Sequence, residues 1–176
     1  GLGDVYKRQI LYCNYSNPIR KGRKIKKCCG CSYFQEDRQM AVVEEILRSE
    51  ADGSISFGNH KLAKKAKVED YEHAGDLLKV KTYNEMTKLE KNGMFLYESV
   101  PGTSVLEFKE SDNSVEFIVE GDEDSQITVG LKDDTEYEVF IDGMNVGTMK
   151  TGLGGKLSLS VELEAAGEVP VKIVEA

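Results

Sequence analysis

The chain has 176 residues, with 31 Asp and Glu against 23 Lys and Arg, a formal net charge of −8, four Cys and no Trp. Hydrophobic residues make up 40% of it, which can build a core, yet no apolar run approaches the roughly 18 residues of a membrane-spanning helix. The balance argues against duplex nucleic acid as a partner and excludes collagen-like and wholly disordered chains.

Charge is divided unevenly along the sequence. Residues 1–39 hold nine Lys and Arg against three Asp and Glu, together with all four cysteines (Cys13, Cys28, Cys29 and Cys31). Residues 40–176 hold fourteen against twenty-eight. Apolar residues in the first part follow neither a helical nor a strand period. Asp4-Val5-Tyr6-Lys7-Arg8-Gln9 back-translates to text that resembles the mosaic end of a transposase sequencing adapter. Gln35-Glu36-Asp37 can be encoded by a stretch containing a bacterial ribosome-binding site, a short spacer ahead of Met40. Residues 1–39 are therefore expected to be a non-native, disordered leader, with Met40 the start of the protein. The alternative is a basic arm in which Lys26-Lys27-Cys28-Cys29-Gly30-Cys31 binds metal or nucleic acid. Structural zinc favours separated Cys pairs or Cys with His, and this spacing fits poorly.

From Met40 onward, short apolar and polar alternations recur every ten residues or so between turn dipeptides. Ala41–Leu47 can be read as a short helix, whereas 67–72, 77–83, 86–91 and 94–99 read as strands. Asp52-Gly53, Asn92-Gly93 and Asp142-Gly143 are dipeptides that tolerate the positive φ of type I′ hairpin turns. Lys61–Lys67 (KLAKKAK) is a charge run, expected in a solvated loop or turn of helix. Val100-Pro101-Gly102 interrupts the pattern and is the candidate domain boundary.

Beyond it the alternation is clean: Val115, Phe117, Val119; Ile127, Val129, Leu131; Tyr137, Val139, Ile141; Leu157, Leu159, Val161, Leu163; Val169, Val171, Ile173. Period-2 spacing puts each set on one face of its strand, with polar residues opposite. The predicted fold is all-β: a small β-rich module over 40–101 followed by an Ig-like β-sandwich of about seven strands over 102–176.

Leu131-Lys132-Asp133-Asp134-Thr135-Glu136-Tyr137-Glu138-Val139 resembles the tyrosine corner of fibronectin type III and related Ig-like domains, which implies a Tyr137 hydroxyl bonded back to the preceding loop. Asp133 stands where that family has Pro, and Tyr137 falls on the fourth strand of its module instead of the sixth. The body also resembles a family of short proteins from anaerobic Gram-positive bacteria that often bear the name endosialidase. The segments Ile46–Gly58, Thr87–Gly102 and Tyr137–Leu163 carry that resemblance. The label implies a carbohydrate-active protein, either a glycan-binding module or an endosialidase-like hydrolase. Sialidases hold a carboxylate with an arginine cluster, whereas residues 40–176 contain the single arginine Arg48 and no Asp-box.

Other chemistry is thinly represented. His60 and His73 are expected in solvent-exposed loops, and no G-x-S-x-G elbow surrounds any serine. Gly121–Ser125 and Asp133-Asp134 read as solvated acidic turns without a calcium-loop pattern. Thr151–Lys156 lacks a phosphate-loop signature and reads as a flexible hairpin connection. Catalytic, cofactor-binding and metal residues are accordingly assigned to none, and no cofactor is expected. The sequence favours a non-enzymatic binding or structural module with a protein partner or a glycan, without nucleic acid or membrane. The Met40 start, with no basic n-region or apolar h-region, predicts a cytoplasmic location.

Overall fold

The computed structural model describes residues 43–176. Residues 1–39, expected to be a leader, with their four cysteines and the expected start at Met40, lie outside them. Thirteen strands follow in order: β1 Leu47–Ser49, β2 Ile55–Phe57, β3 Ala66–His73, β4 Asp76–Tyr83, β5 Met86–Lys91, β6 Met94–Val100, β7 Ser104–Glu110, β8 Ser114–Glu120, β9 Ser125–Gly130, β10 Glu136–Ile141, β11 Met144–Lys150, β12 Lys156–Val161 and β13 Glu168–Glu175. They form two antiparallel sheets. One has seven strands in the order β1-β2-β7-β8-β13-β10-β11, and the other six in the order β12-β9-β6-β5-β4-β3. The expected all-β class holds throughout the described residues.

The sheets pack face to face because the period-2 apolar sets point inward from both. Val115, Phe117, Val119, Val169, Val171 and Ile173 from the larger sheet share one buried cluster with Val80, Leu89, Ile127, Val129, Leu157 and Leu159 from the smaller. Tyr97 on β6 stands at its centre. Its ring meets Phe57 and Phe117 edge to face at 5.3 and 5.6 Å, within the range in which aromatic pairs add to simple burial.

The boundary expected at Val100-Pro101-Gly102 is not a domain boundary. The chain leaves the six-stranded sheet there and enters the seven-stranded one, and segments from its two sides pair in both: β2 with β7, and β6 with β9. Pro and Gly interrupt the alternation because a crossing between sheets needs it interrupted, and 40–101 and 102–176 build a single sandwich. Strands β7 to β13 are the seven expected after residue 102. Their arrangement, β7-β8-β13-β10-β11 with β12-β9, differs from the A-B-E-D and C-F-G sheets of an Ig constant domain.

Smaller departures have local causes. Ala41–Leu47 gives no helix within the described residues; Val43 is buried, a turn follows and β1 begins at Leu47. Asn92-Gly93 and Asp142-Gly143 take positive φ at both positions, as type I′ turns require, but Asp52-Gly53 does so only at Gly53. The Asp52 carboxylate there accepts from the Ser54 N–H at 3.0 Å, a local turn that replaces the two-residue hairpin. Thr151–Lys156 is not a hairpin connection. It carries the chain from β11 in one sheet to β12 in the other, and buried Thr151 anchors it by donating to the Lys132 carbonyl at 2.6 Å.

Candidate functional site

The most organised outward surface is the exposed face of the six-stranded sheet. Residues directly opposite in register share a face. Lys67 on β3 faces Lys81 on β4, Lys81 faces Lys88 on β5, and Lys88 faces Glu98 on β6. The row continues through Thr128 on β9 to Ser158 on β12. Three lysines thus stand side by side on three adjacent strands, with neighbouring strands about 4.8 Å apart. Like charges placed directly opposite are destabilising, and here they occur in a body whose acids outnumber its bases two to one.

The next row partly neutralises them. Glu69 pairs with Lys67 at 3.1 Å and Lys79 at 2.8 Å, and Glu90 pairs with Lys88 at 2.7 Å. Lys81 is the exception. Among the described residues no carboxylate forms an ion pair with it, and the Lys65 ammonium beside it, with burial, Lys88 and Lys79, holds its pKa below the usual lysine value. The run Lys61–Lys67 is a loop as far as Lys65, and its last two residues already belong to β3; it delivers Lys65 and Lys67 to this patch.

The far half of the face is nearly neutral. The Thr128 and Ser158 hydroxyls lie 2.9 Å apart, and the Phe95 ring carries the Lys156 ammonium 4.6 Å from its centre. Gly130 is required beside it, because a Cβ there would come within 2.5 Å of the Phe95 carbonyl oxygen.

The histidines differ from expectation. His60 is 3% exposed. Its Nδ1 lies 2.8 Å from Ser104 Oγ, and its Nε2 lies 3.8 Å from the Asp122 carboxylate with no hydrogen-bond partner. Burial lowers its pKa, opposed by Asp122. The sequence signal for this was faint: Asn59 and His60 follow a strand and read as loop, and their partners Thr82 and Ser104 are distant in the chain. Ser104 is itself fully buried, so the Ser104, His60 and Asp122 set lacks an accessible nucleophile.

His73 ends β3 and is half-buried. Its Nε2 lies 3.0 Å from the Gly53 carbonyl, which only accepts, so Nε2 donates there, and Nδ1 lies 2.7 Å from Ser49 Oγ. The contact is that of a nucleophile and its base. The orienting group, however, is a main-chain carbonyl, and the Ser49 N–H is taken by the Tyr71 hydroxyl at 3.1 Å. The arrangement fastens β1, at the edge of one sheet, to β3, at the edge of the other.

The acidic turns have structural partners. Asp124 accepts from the Leu163 and Glu164 N–H groups at 2.9 and 3.3 Å, Asp122 pairs with Lys61, and Asp134 pairs with Lys150 at 2.9 Å. Among the described residues no cluster of three or more His, Cys, Asp and Glu is placed to hold a metal ion. Tyr137 accepts from the Lys132 N–H at 3.2 Å, the contact expected of a tyrosine corner. No helix among the described residues is long and apolar enough to cross a membrane. The chain matches no family model, no curated protein and no solved structure.

Proposed function

We propose that the protein is a non-enzymatic binding module of the cytoplasm that presents the outer face of its six-stranded sheet to an anionic partner. The observation that carries this reading is the register Lys67, Lys81, Lys88. Lys67 and Lys88 are offset by Glu69 and Glu90, whereas Lys81, opposed to both lysines, costs stability in the isolated molecule and gains it when an anion lies over it. Edge protection accounts for a lysine on β3, but not for Lys81 and Lys88 on interior strands. The tyrosine corner supports an Ig-like reading of the C-terminal half as architecture, apart from strand order.

Retention of the full chain on an immobilised polyanion tests the reading. Wild type is expected to bind at about 0.05 M salt and elute as screening shortens the Debye length. Lys81→Gln/Lys88→Gln should elute markedly earlier with an unchanged circular dichroism spectrum. Equal elution of the two proteins sinks the reading.

The second reading is a carbohydrate-active protein, a glycan-binding module or endosialidase-like hydrolase. It draws support from the hydroxyl pair Thr128 and Ser158 and the aromatic Phe95 on the same face. A glycan array with the wild type and Phe95→Ala separates the two: selective glycan binding lost in Phe95→Ala favours the second reading.

A further inference from the structure

Resting on the reading of that face as an anion-binding surface, we infer that its partner is an acidic polypeptide segment, held extended along the free edge of β3 with carboxylates directed at Lys67 and, one strand further in, at Lys81. Three features of the fold select this class of partner.

The first is the extent of the charge. The lysine row occupies three strands, roughly 10 Å across at the usual strand spacing, and gives way at Glu98 to neutral side chains. Acids face outward on the other sheet, where Glu116 lies opposite Lys172 and Glu138 opposite Val174. A long uniform polyanion such as duplex nucleic acid, or an anionic membrane surface, extends past the patch and meets that acidic surface. A short run of carboxylates does not.

The second is the state of the aromatic groups. Base-stacking and sugar-stacking surfaces use open aromatic faces, and Phe95 already has the Lys156 ammonium over its ring. Affinity at this surface therefore comes from charge and hydrogen bonding.

The third is the adjoining edge. β3 pairs only with β4 and ends its sheet, and an edge strand leaves every second N–H and C=O without a ladder partner. Its C-terminal half lies against β1, since the Tyr71 and His73 side chains are fastened to Ser49. A break in register between Val68 and Tyr71 separates that half from Ala66–Val68, where Asp70 takes a positive φ of 56°. The open stretch is the one that carries Lys67. Main-chain pairing there gives affinity, and alternate side chains of an added strand fall on the lysine face.

The test uses the full chain and a ten-residue peptide alternating Glu and Thr, read by fluorescence anisotropy at about 0.1 M salt. Hyaluronan, a single-stranded oligonucleotide and the same peptide N-methylated at alternate residues serve as comparisons. The peptide is expected to bind, to lose about tenfold or more in affinity to Lys81→Gln/Lys88→Gln, and to lose a similar factor on N-methylation, as removal of charged contacts and of main-chain donors implies. Amide exchange at residues 66–68 should slow in its presence. Equal affinity of the N-methylated peptide, tighter binding of hyaluronan or the oligonucleotide, or indifference to the lysine substitutions overturns the peptide assignment. If hyaluronan or the oligonucleotide still depends on Lys81 and Lys88, the anionic face survives that failure. If none of the probes responds to those lysines, both readings fall.

Discussion

The His60 Nδ1 and the Ser104 Oγ, 44 residues apart in the chain, lie 2.8 Å from each other in a buried contact. It ties the segment after β2 to the first residue of β7, at the place where the chain crosses between sheets. Buried hydroxyls continue the network. Thr87 donates to the Thr103 carbonyl at 2.7 Å, Thr82 and Thr87 hydroxyls lie 2.8 Å apart, and Thr82 accepts from the Asn59 N–H at 2.9 Å. The crossing is thus held by hydrogen bonds where the apolar alternation is interrupted.

Acid should weaken this end of the sandwich before it weakens the carboxylate contacts. Burial holds the folded pKa of His60 below its ordinary 6.5, so the unfolded chain binds the extra proton first. The contribution of neutral His60 is complete above the unfolded pKa and is lost as pH falls from there toward the folded pKa. Urea midpoints measured downward from about pH 7.5 should begin to fall near pH 6.5, and His60→Gln should flatten that limb. The nearby Asp122, whose pKa is lowered chiefly by its hydrogen bond to Lys61, stays ionised through this window. An identical slope in both proteins removes His60 as the cause.

Tyr97 is completely buried, and its hydroxyl lies 2.9 Å from Thr103 Oγ1, while burial pushes the phenol pKa well above its ordinary value. Tyr97→Phe keeps the ring contacts and removes one end of a buried hydrogen bond, so urea unfolding should show a loss of about 1 kcal/mol. Tyr97→Ala also opens a cavity between the sheets and should lose about 3 to 5 kcal/mol.

Relief of lysine repulsion should stabilise the molecule while it weakens binding. Lys81→Gln is expected to leave stability unchanged or raise it by up to about 0.5 kcal/mol. The gain should shrink as added salt screens the wild type. A clear loss of stability at low salt would show that Lys81 makes a favourable contact in the free protein.

Gly130→Ala must displace the Phe95 main chain, because the new Cβ meets its carbonyl oxygen at 2.5 Å. Thermal unfolding should register a destabilisation of about 1 to 3 kcal/mol, the usual range for forcing extra volume into a packed site. Gly53→Ala provides a comparison in which the Cβ meets no neighbour within 4 Å. The φ of +86° at Gly53 makes its cost a matter of backbone conformation alone.

Much of the strand pattern was legible along the chain. Sets such as Val115, Phe117, Val119 and Leu157, Leu159, Val161 declare a buried face by their spacing, and Asn92-Gly93 and Asp142-Gly143 declare hairpins by the φ they tolerate. Ala74-Gly75 makes a comparable turn, with φ of 50° and 89°; its sequence marks a loop but not the turn type, because Ala carries no turn preference. Of the candidate site, the lysines were visible only as the run 61–67.

What the sequence determined by itself was therefore local: which residues form strands, which side of each is apolar, and where the chain turns. The tertiary structure alone decided which strands are neighbours. Period-2 alternation specifies a face but not a partner, so Lys67, Lys81 and Lys88 could not be read as a row until β3, β4 and β5 were set in register. Likewise His60 could not be read as buried until Ser104, 44 residues further on, was brought against it. Burial and like-charge proximity arise from contacts between segments distant in the chain, and local spacing carries no record of those contacts.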